Sequence, residues 1–240
     1  SDRKKGEEQM QGKFLYETHM HTSQGSACAH STGEEMARAY HERGYTGIIV
    51  TDHFFNGNSA VPKDLPWTER VERFLKGYEQ AKATGETIGL QVFFGWEYAD
   101  RGPEFLTYGL GKDFLLAHPD MLSWPIEGYF RAVKEAGGFL VQAHPYRRAP
   151  YIREVRTYEK LVDGFEVQNI GNSDVAFDLE ALRTARENGL YETAGSDEHD
   201  HRRFRGGGMA LALADIQDFI LAVQDRDWEY VLPFGEKHPY

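Results

Sequence analysis

Cysteine is almost absent from this chain: Cys28 stands alone among 240 residues, so no internal disulfide is possible. Cationic side chains are also in short supply. Lys and Arg number 27 against 38 Asp and Glu, which leaves a net charge of -11. An acidic surface repels polyanions at long range, so duplex nucleic acid is not an expected partner. A small phosphorylated substrate stays compatible, because bound divalent ions invert the local field. No apolar run approaches the ~20 residues of a membrane span, so no membrane partner is expected. Ser1 to Glu8 are polar and lack a signal-peptide core, and the chain opens on Ser rather than Met, as a processed or trimmed chain would. Together these traits predict a cytoplasmic protein. Internal repeats, low-complexity tracts and linkers are missing too. With 40% hydrophobic residues, the chain suffices for one α/β barrel more readily than for two small domains.

What is present is an alternation of strand and helix signals. Strands are expected at 13–21, 45–53, 90–98, 105–110, 138–143, 164–169, 192–196 and 209–213. Helices are expected at 33–43, 68–82, 126–136, 174–188 and 216–224, where apolar residues recur at helical spacing. Gly44 and Gly189 mark C-termini, and Thr68, Ser173 and Asp215 are candidate caps. Such alternation implies parallel pairing through right-handed crossovers. About seven βα units in one domain point to a closed barrel over residues 13–227, followed by a tail over 228–240 with no clear pattern. In barrels the reactive groups gather at the carboxyl ends of strands.

Those ends carry a consistent chemistry. Phe14-Leu15-Tyr16 leads to His19-Met20-His21, and alternate residues of a strand share a face, so the two imidazoles aim at one point. Gly47 to Val50 leads to Thr51-Asp52-His53. Val92 to Trp96 leads to Glu97. Phe139 to Ala143 leads to His144-Pro145. Thr193 to Ser196 leads to Asp197-Glu198-His199. Imidazole and carboxylate are ligands of divalent transition metals. Trp96 and Tyr98 flank Glu97, which predicts a part-buried carboxylate, and such a group needs a cation beside it. Asp52 is expected to orient a neighbouring ligand rather than bind metal itself. His41 and His238 are expected to do no chemistry, and His201 to line the mouth of the site.

This ordered set resembles the PHP family, named for polymerase and histidinol phosphatase domains, from about Tyr16 to Leu213. The segment Gly164 to Asn169 also looks like the family's strand before its last ligand motif. The resemblance implies a distorted TIM-like barrel of seven βα units holding two or three divalent ions, Zn, Mn or Fe. It implies that His19, His21, Glu97 and Asp197 hold one metal. Glu97 would bridge to a second metal bound also by His144, and His53 and His199 would hold a third. Many members carry another His on the strand after the Glu, but Pro103 to Tyr108 has none, and His118 lies further on, in an expected loop or short helix. A further ligand shortly after His-x-His is also common, and either Cys28 or His30 stands in that stretch.

The implied chemistry is metal-assisted attack of water on phosphorus, with Asp197 and His199 as the expected catalytic residues. The proton for the leaving group would come from His199, Asp52 or a water. Arg147 and Arg148 follow one motif, and Arg202, Arg203 and Arg205 follow another. Arginine's planar fork suits phosphate oxygens, and Arg147 and Arg203 are the expected substrate contacts. Phe54, Phe55 and Tyr146 suit either a pocket floor or the core. Gly206-Gly207-Gly208 fits a turn into the last strand. The expected function is hydrolysis of a small phosphomonoester, of histidinol-phosphate or nucleotide type. The alternatives are an amidohydrolase-like C–N hydrolase, an oligonucleotide-trimming phosphodiesterase and a metal-stabilised scaffold.

Overall fold

The structure, a computed structural model, describes residues 14–233. Lys13, the polar N-terminus and His238 lie outside the described residues. The first half of the chain runs β1 Phe14–Met20, α1 Gly33–Glu42, β2 Gly47–Val50, α2 Trp67–Phe74, α3 Lys76–Ile88, β3 Gln91–Ala99, β4 Glu104–Tyr108 and α4 Lys112–Ala117. The second half runs α5 Ile126–Glu135, β5 Phe139–Ala143, β6 Gly164–Asn169, α6 Val175–Glu187, β7 Tyr191–Gly195, β8 Met209–Leu211, α7 Ile216–Asp225 and β9 Glu229–Tyr230.

The strands form one sheet in the order β7-β6-β5-β4-β3-β2-β1-β8-β9. The sheet curls into a nearly closed barrel, because β1 also reaches the far edge. Met20 bridges to Glu198 in parallel, and the Asp197 N–H donates to the His19 carbonyl at 2.8 Å. The lower half of β1, Phe14 to Tyr16, pairs instead with β8, and β9 pairs with β8 in turn. The stretch after Trp228, patternless in sequence, thus adds a short strand to the sheet edge. Glu17 occupies the split between β1 and β7. Its carboxylate accepts from the backbone N–H groups of Thr18, His19 and Ser196 at 2.9–3.0 Å, donors that a broken ladder leaves exposed in a buried place.

Several expectations fail. The sheet is not wholly parallel: β4 runs antiparallel to both β3 and β5. Only Asp100 to Pro103 separate β3 from β4, too few residues for a crossover, so the pair is a hairpin. β5 also leads to β6 through a loop rather than a helix. The expected single helix at 68–82 is two, because Leu75 ends α2 and starts α3. Its expected cap, Thr68, lies inside α2, whose N-cap is Pro66. Asp174, not Ser173, caps α6, while Asp215 caps α7 as expected. α1 begins in a capping box, with Thr32 accepting from Glu35 N–H.

Phe54, Phe55, Trp96, Phe105 and Phe165 belong to one aromatic-rich core cluster, which Tyr146 joins at its edge. These aromatics pack the core instead of flooring a pocket. Met20, Ile48 and Val50 pack with Met36 and Tyr40 of α1 in another cluster. Packing on both flanks fixes the upper ends of β1, β2 and β3, from which most candidate ligands project. Among the described residues no helix is long and apolar enough to cross a membrane.

Candidate metal centre

The barrel brings His19, His21, His53, Glu97, His144, Asp197 and His199 to one end. Glu97 is central and almost fully buried. His19 Nε2 and His144 Nε2 each lie 3.3 Å from Glu97 Oε1. His53 Nδ1 lies 3.0 Å and His21 Nε2 3.4 Å from Oε2. Asp197 Oδ1 lies 3.0 Å from His21 Nε2 and 3.3 Å from His19 Nε2. His21 also faces His199, with ring centroids 4.1 Å apart.

His19 Nε2 and His21 Nε2 also approach each other to 3.3 Å. Both Glu97 oxygens, His53 Nδ1 and His144 Nε2 are buried without a hydrogen-bond partner. Unpaired buried polar atoms are costly, and here they point at shared positions. Donors bound tetrahedrally at about 2.1 Å sit about 3.4 Å apart, which matches the spacing. Groups of donor atoms within 4.8 Å are His19, His21, Glu97 and Asp197; His21, His53 and His199; and His53, Glu97 and Glu104. The residues present therefore fit divalent ions.

Neighbouring bonds set which imidazole nitrogen faces the centre. His19 Nδ1 donates to Glu166 Oε2 at 2.7 Å, which leaves Nε2 for a ligand. Ser26 Oγ gives its single proton to Asp52 Oδ1 at 2.8 Å. Its oxygen must then accept from His21 Nδ1 at 2.9 Å, again freeing Nε2. Asp52 also accepts from Thr22 N–H and Oγ, each at 2.6 Å. It sits behind the candidate ligands His21 and His53, which it reaches through Ser26. His199 Nδ1 donates to the Asp197 carbonyl at 2.7 Å. His144 and Asp197 hold φ of +28° and +58°, a conformation that side-chain-bearing residues seldom keep without surrounding constraint.

Electrostatics follow from this crowding. Burial raises the Asp197 and Glu97 carboxyls, but His19 with Arg147 for the former, and His19 with His53 for the latter, outweigh it and hold both well below the usual range. Burial together with His199 and His53 drives His21 well below its ordinary value. His19 goes the other way, because Glu166, Asp197 and Glu97 overcome its burial. His144, opposed by burial and Arg147, is still lifted to about 8 by Glu104, Glu97 and Asp197. Burial takes Asp52 to about 6 against its Thr22 and Ser26 hydrogen bonds.

Of the two candidates after His-x-His, the Cys28 side chain contacts His199 and His53, while His30 is exposed. These contacts overcome burial and bring the Cys28 thiol down to about 6. His118 packs at a tilt against Phe114 and edge-on against Trp124. His201 bonds Ser31 Oγ at 2.7 Å. Arg147 is drawn in: Nη1 donates to Asp197 Oδ2 at 2.6 Å, and Nε and Nη2 donate to Asn172 and Asn169. Arg203 is exposed, on a neighbouring cavity of about 450 Å³. Arg202 and Arg205 pair with Asp200 and Glu198. Gly208 lies so close to β1 that a Cβ would stand 2.1 Å from the Tyr16 carbonyl, so that glycine serves packing. A cavity of about 640 Å³ opens over the centre, lined in part by His53, Glu104, Arg147, Tyr151 and His199.

Glu104 and Glu166 are the residues that sequence reasoning missed. Glu104 lies 3.3 Å from His144 Nε2 and 3.5 Å from His53 Nδ1. On a parallel strand its position would face the opposite end of the barrel. The four-residue turn at 100–103 was the available signal. Glu166 sits in an expected strand, and nothing local marks it as the partner of His19.

No family model matches the sequence, and no curated protein matches it. Solved structures do match in shape. A two-domain protein from Bacteroides vulgatus, containing a predicted PHP-like metal-dependent phosphoesterase, superposes with a TM-score of 0.67 at 15% identity, over 92% of this chain and 65% of that one. This chain thus spans less than two thirds of that protein. PsfC from Pseudomonas syringae superposes with a TM-score of 0.61 at 17% identity, over 92% of each chain. An amidohydrolase from Chromobacterium violaceum, solved with bound sulfate and no metal, gives 0.55 at 15% identity, over 78% of this chain and 88% of that one.

Proposed function

We propose that this chain, which has the barrel fold of PHP-like metal-dependent phosphoesterases, hydrolyses a phosphate ester of a small molecule at a centre of two or three divalent ions. The convergence of buried, unpartnered donors on Glu97 supports this most directly. Divalent ions held there would neutralise phosphoryl oxygens and make water a competent nucleophile. His19, His21, Glu97 and Asp197 would hold one ion. His144 and Glu97 would reach a second, and His53 and His199 a third.

The chain's own residues then divide the work. Asp197 ties the centre to Arg147, whose guanidinium lines the cavity and suits the phosphoryl oxygens. Arg203, on the adjoining cavity, is assigned to the outer part of the substrate. His199 is the most exposed of the seven, its side chain 25% accessible, and it faces the cavity. With only two ions bound, His199 would stay free of metal; Cys28 and Asp197 outweigh its burial and hold it above its ordinary pKa, so in that state it suits proton delivery to the leaving oxygen. The cavity of about 640 Å³ is of a size that encloses a small molecule. The sulfate-holding amidohydrolase neighbour keeps C–N hydrolysis as the second reading.

The test is phosphate release from a panel of phosphomonoesters and short oligonucleotides, after loading with Mn, Zn or Fe separately. Asp197→Ala is the control, and amides and lactones are assayed in parallel. Release from monoesters that Asp197→Ala abolishes is the expected result. Turnover of amides alone would favour the second reading, and no turnover by metal-loaded protein would leave a scaffold.

A further inference from the structure

The donors around Glu97 are not chemically uniform. His21, His53 and His199 form a group of imidazole nitrogens. The group beside it contains two carboxylates, Glu97 and Glu104, with His53. His144 Nε2 lies 3.3 Å from an oxygen of each of these carboxylates. Glu104 is the first residue of β4 and reaches the centre because that strand runs antiparallel. Its side chain is 13% accessible, and it faces His144 Nε2 and His53 Nδ1, buried atoms with no hydrogen-bond partner. No His is found between Glu97 and His118 in the sequence. Glu104 is thus the oxygen donor that stands where a further His is missing.

Oxygen donors suit Mn2+ and Mg2+, whereas imidazole suits Zn2+ and its neighbours. Zinc binds most sites more tightly than manganese, so the donor set acts on the margin between them. We propose that Glu104 is a ligand of the second metal position, with Glu97 and His144, and that it makes this the position of the centre that yields manganese to zinc least readily. Arg147 adds positive charge nearby and is already paired with Asp197, so it leaves the Glu104 carboxylate available. The inference rests on the metal-centre reading above.

The experiment loads metal-free protein with Mn2+, counts bound ions, and titrates in Zn2+ while free Mn2+ is followed by its paramagnetic resonance signal. Wild type, Glu104→Gln and Glu104→His are compared, with near-ultraviolet circular dichroism showing that each is folded. Wild type should release manganese in two resolved phases, the later one needing distinctly more zinc. Glu104→Gln should bind one fewer manganese ion and lose the late phase. Glu104→His should keep the ion count and merge the late phase into the early one. Variants that match wild type in count and profile would overturn the assignment while leaving the metal centre intact. Loss of the ion in Glu104→Gln with an unchanged profile in Glu104→His would overturn the preference. A wild type that binds no ion would overturn the metal centre itself.

Discussion

Glu166 Oε2 lies 2.7 Å from Nδ1 of His19, and both side chains are fully buried. This contact decides which nitrogen of His19 reaches the centre. It ties β6 to β1 across the barrel, so the metal position depends on a residue far away in sequence. Glu166→Gln keeps the shape and removes the charge. Metal affinity should fall by about 10- to 100-fold, as for other partners of metal-bound imidazoles. Competition against a chelator of known affinity measures it, and unchanged affinity would reduce Glu166 to a packing role.

Asp52 makes a related prediction through Ser26. Its carboxylate accepts three hydrogen bonds from Thr22 and Ser26. Asn at this position places an amide N–H₂ against some of those donors. Asp52→Asn should cost about 1–3 kcal/mol of stability. It should also weaken metal binding, because Ser26 would no longer be obliged to accept from His21. Urea denaturation with and without metal checks both effects.

Metal-free protein should lose stability as the pH rises through about 8. The folded His144 value of about 8 lies above its ordinary 6.5. The proton's contribution is therefore complete below about 6.5 and is lost as pH passes 8, where Glu97, Glu104 and Asp197 lose a positive neighbour. The loss should be about 2 kcal/mol. Bound divalent ions should reverse the trend, since ligands bind metal in their deprotonated forms. Thermal melts from pH 6 to 9, with and without Zn2+, would reveal this, and a flat metal-free profile would contradict it.

Cys28 should be unusually reactive. Its thiol is brought down to about 6 by His199 and His53 despite burial, whereas a free cysteine titrates near about 8.5. Iodoacetamide labelling of metal-free protein should rise with a midpoint near pH 6. Added zinc should protect the thiol if His53 and His199 take up an ion. A midpoint near 8.5, or no protection by zinc, would separate Cys28 from the centre.

Much of this was legible in one dimension. His19 and His21 stand one residue apart, and strand alternation alone brings them to one face. The apolar runs before His53, Glu97, His144 and Asp197 marked strands whose upper ends carry candidate ligands. Local spacing predicts such features because they depend only on backbone geometry. The tautomers of His19 and His21 were not legible, since Glu166 and Ser26–Asp52 reach them from other strands and loops. Phe54, Phe55 and Tyr146 were open between pocket and core, a choice that only packing makes.

By itself, then, the sequence determined most of the order of strands and helices, the alternation within each strand and the candidate ligand types at the strand ends, while the break at Leu75 and the short strand Glu229–Tyr230 escaped it. Tertiary structure decided the direction of β4, and with it the arrival of Glu104 at the centre. It also placed Cys28 rather than His30 beside His53 and His199. The physical reason is common to both. Which end of a strand faces the site, and which side chain of a loop turns inward, depend on hydrogen bonds to neighbouring strands and on contacts distant in sequence, which no local pattern encodes.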